Sequence, residues 1–221
     1  MIQPYITMTL QELSQLVSLG EGANLEFKRR VPRPQRIAKE LIAFANTKGG
    51  HLLLGVDDSG RITGLRDVEE EEYVLRSSML ERSDPPIEFD SQRVPVANRR
   101  DVIVVTVPES ASKPHYLVGE NGTGRTAYVR VDDKSVEASP EAVRLMRLRE
   151  GAETVTFEFG EKELMLMRYL DSYGRITVKQ FANLANIPRR RASKTLVLLT
   201  RANILRLHAD HRHDYFTLAY E

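Results

Sequence analysis

Glu21, Glu26, Lys28, Asp57 and Asp58 are the residues whose types and spacing could do chemistry. They fall in two short stretches, G-E-G-A-N-L-E-F-K-R-R from Gly20 and H-L-L-L-G-V-D-D-S-G from His51. Grouped carboxylates hold hard divalent cations through oxygen, and a lysine beside them can hold a phosphate. The same residues have a plainer use. Glu26 and Lys28 are two apart, on one face of a strand, where they can form an ion pair on a solvated surface. Asp57-Asp58-Ser59-Gly60 makes a good turn with no metal, and Glu21 can simply cap a loop. Residue chemistry alone leaves both readings open.

A second group is basic. Arg189, Arg190, Arg191 and Lys194 crowd the start of one segment, with Lys179 before them and Arg212 after. Residues 174–213 hold nine Lys+Arg against Asp210 alone, whereas residues 1–150 hold 21 Lys+Arg against 23 Asp+Glu. A net charge of only +1 for the whole chain hides this asymmetry, which points to a nucleic-acid contact near the C-terminus.

The elements that must position these groups follow from periodicity and punctuation. Thr9 with Glu12 predicts a capped helix, and Asn24–Arg30 a strand. Gln35–Asn46 reads as a helix with Ile37, Leu41 and Phe44 on one side, stopped at Gly49-Gly50. His51–Val56 is an almost unbroken apolar run, which predicts a central strand covered on both faces. Arg61–Leu65 is expected to return from the turn as a hairpin partner. A helix is expected over Asp67–Arg82, strands near Ile87–Val94, Asp101–Val107 and Thr126–Val131, and a helix from Ser139 to about Glu150. After a connector at residues 151–160 the pattern becomes three helices, with Asn186-Ile187-Pro188 as a turn, and a terminal hairpin. That order spells a winged helix, whose third helix would present Arg189–Arg191 and Lys194 to a nucleic-acid groove. Gly119–Thr126 almost spells a phosphate-binding loop, but Arg125 replaces the lysine and a strand follows, so ATP hydrolysis has no support.

The totals set limits. A chain of 221 residues, 41% hydrophobic and 29% charged, suits one large domain or a domain with a small appendage. The lack of cysteine excludes disulfides, thiolate catalysis and cysteine-based zinc sites. No run approaches the roughly 18 apolar residues of a membrane helix. The start M-I-Q-P-Y-I-T-M-T-L lacks the charged segment and apolar run of a signal peptide. A cytoplasmic protein with no membrane partner is expected.

G-E-x-x-x-L-E-F-K, followed by A-F-A-N-T-x-G-G-x-L-L-L-G-V-D-D-x-G, resembles the Schlafen AlbA-like domain, known in bacteria as a DNA-binding or RecG-related regulator domain. Lys113-Pro114-His115 and A-Y-V-R-V ending at Val131 extend the resemblance, which covers about residues 10–150. It implies an α+β fold, a mixed sheet with flanking helices, followed here by the small winged-helix domain. The expected domains are therefore residues 1–150 and 161–221, with 151–160 as linker. By resemblance to the nuclease members, Glu21, Glu26 and Asp58 would be the catalytic acids and the ligands of Mg²⁺ or Mn²⁺, with Lys28 beside them. Those members carry two related lobes, so a single-lobe chain is expected to form a homodimer.

Two functions are thus expected alternatives. One is a DNA-binding transcriptional regulator whose basic segment (Lys179, Arg189, Arg190, Arg191, Lys194 and Arg212) contacts DNA or RNA. The other is a metal-dependent endoribonuclease acting on structured RNA.

Overall fold

The apolar run at His51–Val56 is buried because helices cover both sides of the sheet that contains it. In the computed structural model, which describes residues 8–97, 99–119, 122, 124–148 and 160–220, the chain divides into two compact units between Glu137 and Ala138.

The first unit opens with α1 (Leu10–Ser18), β1 (Leu25–Lys28), α2 (Pro34–Asn46) and β2 (Gly50–Leu54). It continues with α3 (Val68–Arg82), β3 (Ser83–Asp84), β4 (Asp90–Val96) and β5 (Arg100–Val107). Four short strands complete it: β6 (Tyr116–Val118), β7 (Arg125–Thr126), β8 (Tyr128–Val131) and β9 (Lys134–Glu137). The main sheet has the order β1-β2-β5-β4. β1 and β2 are parallel, with α2 as the crossover, and the remaining pairs are antiparallel. The fold is therefore α+β with a mixed sheet and flanking helices, as the sequence leads one to expect.

Alternation along β2 divides its side chains between two cores. Leu52 and Leu54 join Ile37, Leu41 and Phe44 of α2 and Leu75 and Met79 of α3. Leu53 joins Leu13 and Val17 of α1, with Phe27 and Val104. Thr9 and Glu12 form the capping box that starts α1. At the end of α2, Gly49 has φ +74, and a Cβ there would lie 2.6 Å from the Val107 carbonyl oxygen, so the strand can enter the sheet only with glycine at this point.

Three expectations change. Arg61–Leu65 makes only isolated bridges, Val56 with Ile62 and Leu65 with Asp101. β2 already has β1 on one edge and β5 on the other, so no edge remains for a hairpin partner. The predicted strand Thr126–Val131 breaks at Ala127, and its two pieces pair separately, β7 with β6 and β8 with β9.

The third change concerns the domain limit. The second unit holds α4 (Pro140–Leu148), α5 (Glu161–Tyr173), α6 (Val178–Leu184), α7 (Arg189–Arg201), β10 (Leu205–His208) and β11 (Tyr215–Leu218). α4, expected to close the first domain at residue 150, packs on α7 instead. Arg144 Nη1 donates to Ser193 Oγ at 3.1 Å, and the Ser193 hydroxyl donates to the Glu141 carboxylate. Of the connector expected at 151–160, all but Gly160 lies outside the described residues. The core of this unit joins Leu166 and Leu170 of α5, Phe181 of α6, Leu196 and Leu199 of α7 and Phe216 of β11. β10 and β11 form an antiparallel hairpin.

Candidate functional site

β1 is an edge strand, and it carries two of the predicted residues. A tight return at Gly22, whose N–H meets the Leu25 carbonyl at 2.9 Å, brings Glu21 back beside the strand. Glu21 Oε1 then accepts the Phe27 N–H at 2.9 Å. Lys28 Nζ donates to Glu26 Oε1, donates to the Phe27 carbonyl at 2.8 Å, and lies 4.0 Å from Glu21 Oε1.

Glu26 is 7% exposed, and its second oxygen meets Arg130 Nη2 at 3.1 Å. The Arg130 side chain is wholly buried. Its Nη1 pairs with Glu40 Oε2 at 2.8 Å, and its Nη2 also donates to the Gly22 carbonyl at 2.7 Å. Its guanidinium carbon sits 4.8 Å from the Phe44 ring centroid, and Ser135 bonds to both Arg130 and Glu40. One guanidinium thus joins β8 to the start of β1 and to α2. A planar fork spreads its donors over separate nitrogens, so Nη1 can serve Glu40 while Nη2 serves Glu26 and the Gly22 carbonyl.

The two aspartates after β2 have separate tasks. Asp57 accepts the N–H of Ser59 at 3.1 Å and of Arg61 at 3.0 Å, with the Ser59 hydroxyl at 2.6 Å. These bonds, led by the Ser59 hydroxyl, lower its carboxyl to about 2. Asp57 therefore builds the turn. Asp58 is exposed, and among the described residues it makes no hydrogen bond or ion pair, yet its charge acts on Glu21. Burial pushes the Glu21 carboxyl above the ordinary glutamate range. The Phe27 amide opposes this, Glu26 raises it further, Lys28 lowers it, and Asp58 raises it. Glu21, Glu26, Lys28 and Asp58 therefore share one electrostatic neighbourhood.

Among the described residues no group of three or more histidine, aspartate or glutamate side chains stands where it could hold a metal ion. The reason is local. Both Glu26 oxygens are taken, by Lys28 and Arg130, and the Lys28 ammonium lies beside both Glu21 and Glu26. In this arrangement Lys28 and Arg130 balance the carboxylates of Glu21 and Glu26, and Asp58 stays exposed.

Arg130 and Glu40 are not among the residues that motif spacing singles out. A signal was present in A-Y-V-R-V, where one arginine interrupts an apolar strand. A buried arginine needs carboxylate partners.

The basic residues lie in the second unit. Arg189, Arg190, Arg191, Lys194, Lys179 and Arg212 are all exposed, and none makes an ion pair among the described residues. Pro188 precedes α7 and gives no side-chain cap, and the first turn of α7 holds no acidic residue. Arg212 lies in the loop between β10 and β11, where its N–H donates to Asp210 Oδ1 at 2.8 Å.

An α+β unit with a parallel β1–α2–β2 crossover, a carboxylate cluster locked by a buried arginine and a turn opening with Asp57-Asp58 is the form in which these motifs fold. The family described as Schlafen, AlbA_2 matches residues 21–139, more than half of the chain, and the chain belongs to that family. Among solved structures it is similar to the N-terminal domain of a RecG-related protein from Nitrosomonas europaea. That similarity is 30% identity over 54% of this chain and 88% of the other, with a TM-score of 0.43. It is also similar to the DIP2311 protein of Corynebacterium diphtheriae, at 17% identity over 89% of this chain and 34% of the other, with a TM-score of 0.44. This chain thus matches about a third of that protein's length.

Proposed function

We propose that this protein binds nucleic acid through the start of α7 and acts as a DNA-binding transcriptional regulator. The observation that carries this reading is the cluster of exposed cations at Arg189, Arg190, Arg191 and Lys194, which make no ion pair among the described residues. A helix dipole disfavours cations in the first turn, and three arginines there cost stability unless an anion compensates. The uncapped N–H groups of that turn can themselves meet a phosphate. Taking α5, α6, α7 and the β10–β11 hairpin as a winged helix makes α7 the helix that enters a major groove, with Lys179 on backbone phosphate and Arg212 at the wing. Schlafen, AlbA_2 membership, and similarity to a domain of a RecG-related protein, fit this reading.

The competing reading, a metal-dependent endoribonuclease, has the shared neighbourhood of Glu21, Glu26 and Asp58 in its favour. Labelled duplex DNA and a structured RNA incubated with Mn²⁺ or with EDTA separate the two. The expected result is binding without cutting, equal in both conditions. Mn²⁺-dependent cutting that disappears in Asp58→Asn would instead establish the nuclease. Asp58 is the informative substitution because it has no bonded partner among the described residues, whereas altering Glu26 disturbs a buried network.

The reading includes a homodimer. Tyr73 and Leu80 on α3 are 74% and 80% exposed and seven residues apart, so they lie on one stripe of the helix. Light scattering at micromolar concentration should give twice the chain mass, and a monomer would remove the dimer from this reading.

A further inference from the structure

Between the end of β1 and the start of α3 lies a cleft of about 490 Å³ with four arginines in its wall, Arg29, Arg30, Arg66 and Arg100. Its two acids, Asp67 and Glu71, are committed elsewhere. Asp67 Oδ1 caps α3 by accepting the Glu70 N–H at 3.1 Å, and Glu71 Oε2 accepts the Val31 N–H at 2.6 Å. By contrast Arg29, Arg30 and Arg66 are exposed and make no ion pair among the described residues. The lining therefore has four cations to two carboxylates, and both carboxylates already hold backbone amides.

The walls are fixed by the fold. Glu71 ties the segment after β1 to the first turn of α3. On the opposite side the N–H groups of Thr63 and Gly64 both reach the Gly55 carbonyl, at 2.8 and 2.9 Å. Arg100 Nη1 donates to the Thr63 carbonyl at 3.1 Å. Gly64 has φ +63, and a Cβ there would come within 2.6 Å of Arg100 Cβ, so only glycine lets the floor lie this close to Arg100. A surface rich in arginine is ordinarily solvated and mobile. Here the guanidinium groups line a concave site whose backbone is bonded in place before any ligand arrives, and arginine forks match phosphate oxygens.

The geometry points to a phosphate-binding site in this cleft, distinct from the start of α7 and from the Glu26–Arg130 cluster. Its ligand chemistry is a phosphate ester or polyphosphate, supplied by the backbone of a nucleic-acid strand or by a free nucleotide. This inference stands without the α7 reading.

The test uses the full chain and inorganic tripolyphosphate, with binding measured by calorimetry at low salt. Wild type should take up the probe, and Arg30→Ala with Arg66→Ala should weaken uptake at least tenfold. Neither arginine has a bonded partner among the described residues, so the double variant should keep its fold. Arg61→Ala, which removes an exposed arginine outside the cleft, should bind as wild type. No uptake by wild type, or equal uptake by the double variant, overturns the proposal. The source is then read from two further titrations. A salt slope for a nucleic-acid strand reduced by about one to two units in the double variant identifies the strand. Unchanged strand binding with lost ATP binding identifies the free nucleotide. The same comparison made in an Arg189–Arg191 alanine background, which removes α7 as a second phosphate contact, should show the same tenfold difference, and this keeps failure of this site separate from failure of the α7 reading.

Discussion

Arg130→Ala should be the most destabilising single substitution in the first unit, by about 3–5 kcal/mol, the range for removing one partner of a buried ion pair. The side chain is wholly buried, and two carboxylates depend on it. Truncation leaves Glu40 without its cation and Glu26 with Lys28 alone, and strands the Gly22 carbonyl that anchors the return before β1. At about 2–4 °C per kcal/mol, melting of this unit should fall by roughly 10 °C, read by calorimetry. Arg130→Lys should recover less than half of the loss, because a single compact nitrogen does not reproduce the spacing of Nη1, which serves Glu40, and Nη2, which serves Glu26 and the carbonyl. A melting temperature within about 2 °C of wild type for Arg130→Ala would show that the network does not hold β8 to β1 and α2.

Replacing Arg189, Arg190 and Arg191 together by alanine should move two quantities in opposite directions. Binding to duplex DNA, followed by fluorescence anisotropy, should weaken. The slope of log affinity against log salt should flatten by about 0.9 for each phosphate no longer neutralised, so by between about one and three units. Stability should hold or rise, because each cation at the start of a helix costs about 0.3–1 kcal/mol against the dipole and alanine is the better helix former. That pairing is the mark of residues kept for a partner at the expense of the fold. An unchanged salt slope would remove α7 from the interface. A loss of stability alongside the loss of binding would make the arginines structural.

What could be read from the sequence was what local pattern decides. The almost unbroken apolar run gave β2 and its two covered faces, since a short strand between two cores is apolar at successive positions. In α7 the 3.6-residue period accounts for Ala192, Leu196 and Leu199 inside and the arginines outside. Glu21, Glu26, Lys28 and Asp58 were singled out by the resemblance to the Schlafen nuclease members, and Glu26, Lys28 and Asp58 all act on the Glu21 carboxyl. The locking cation was hidden because it lies 104 positions from Glu26 and 90 from Glu40. No window of local sequence contains that relation. The misplaced hairpin has the same cause: whether Arg61–Leu65 could pair with β2 was decided by β5, which reaches that edge from much later in the chain.

The placement of α4 has a practical consequence for handling the molecule in pieces. Its apolar residues Ala142 and Met146 are buried, and Glu141 and Arg144 both engage Ser193 on α7. A fragment cut after residue 150 would keep the helix and discard its seat, leaving an amphipathic segment with an uncovered sticky face. The clean place to sever the chain is the short span between β9 and α4, which leaves each half with the surfaces it evolved to hide.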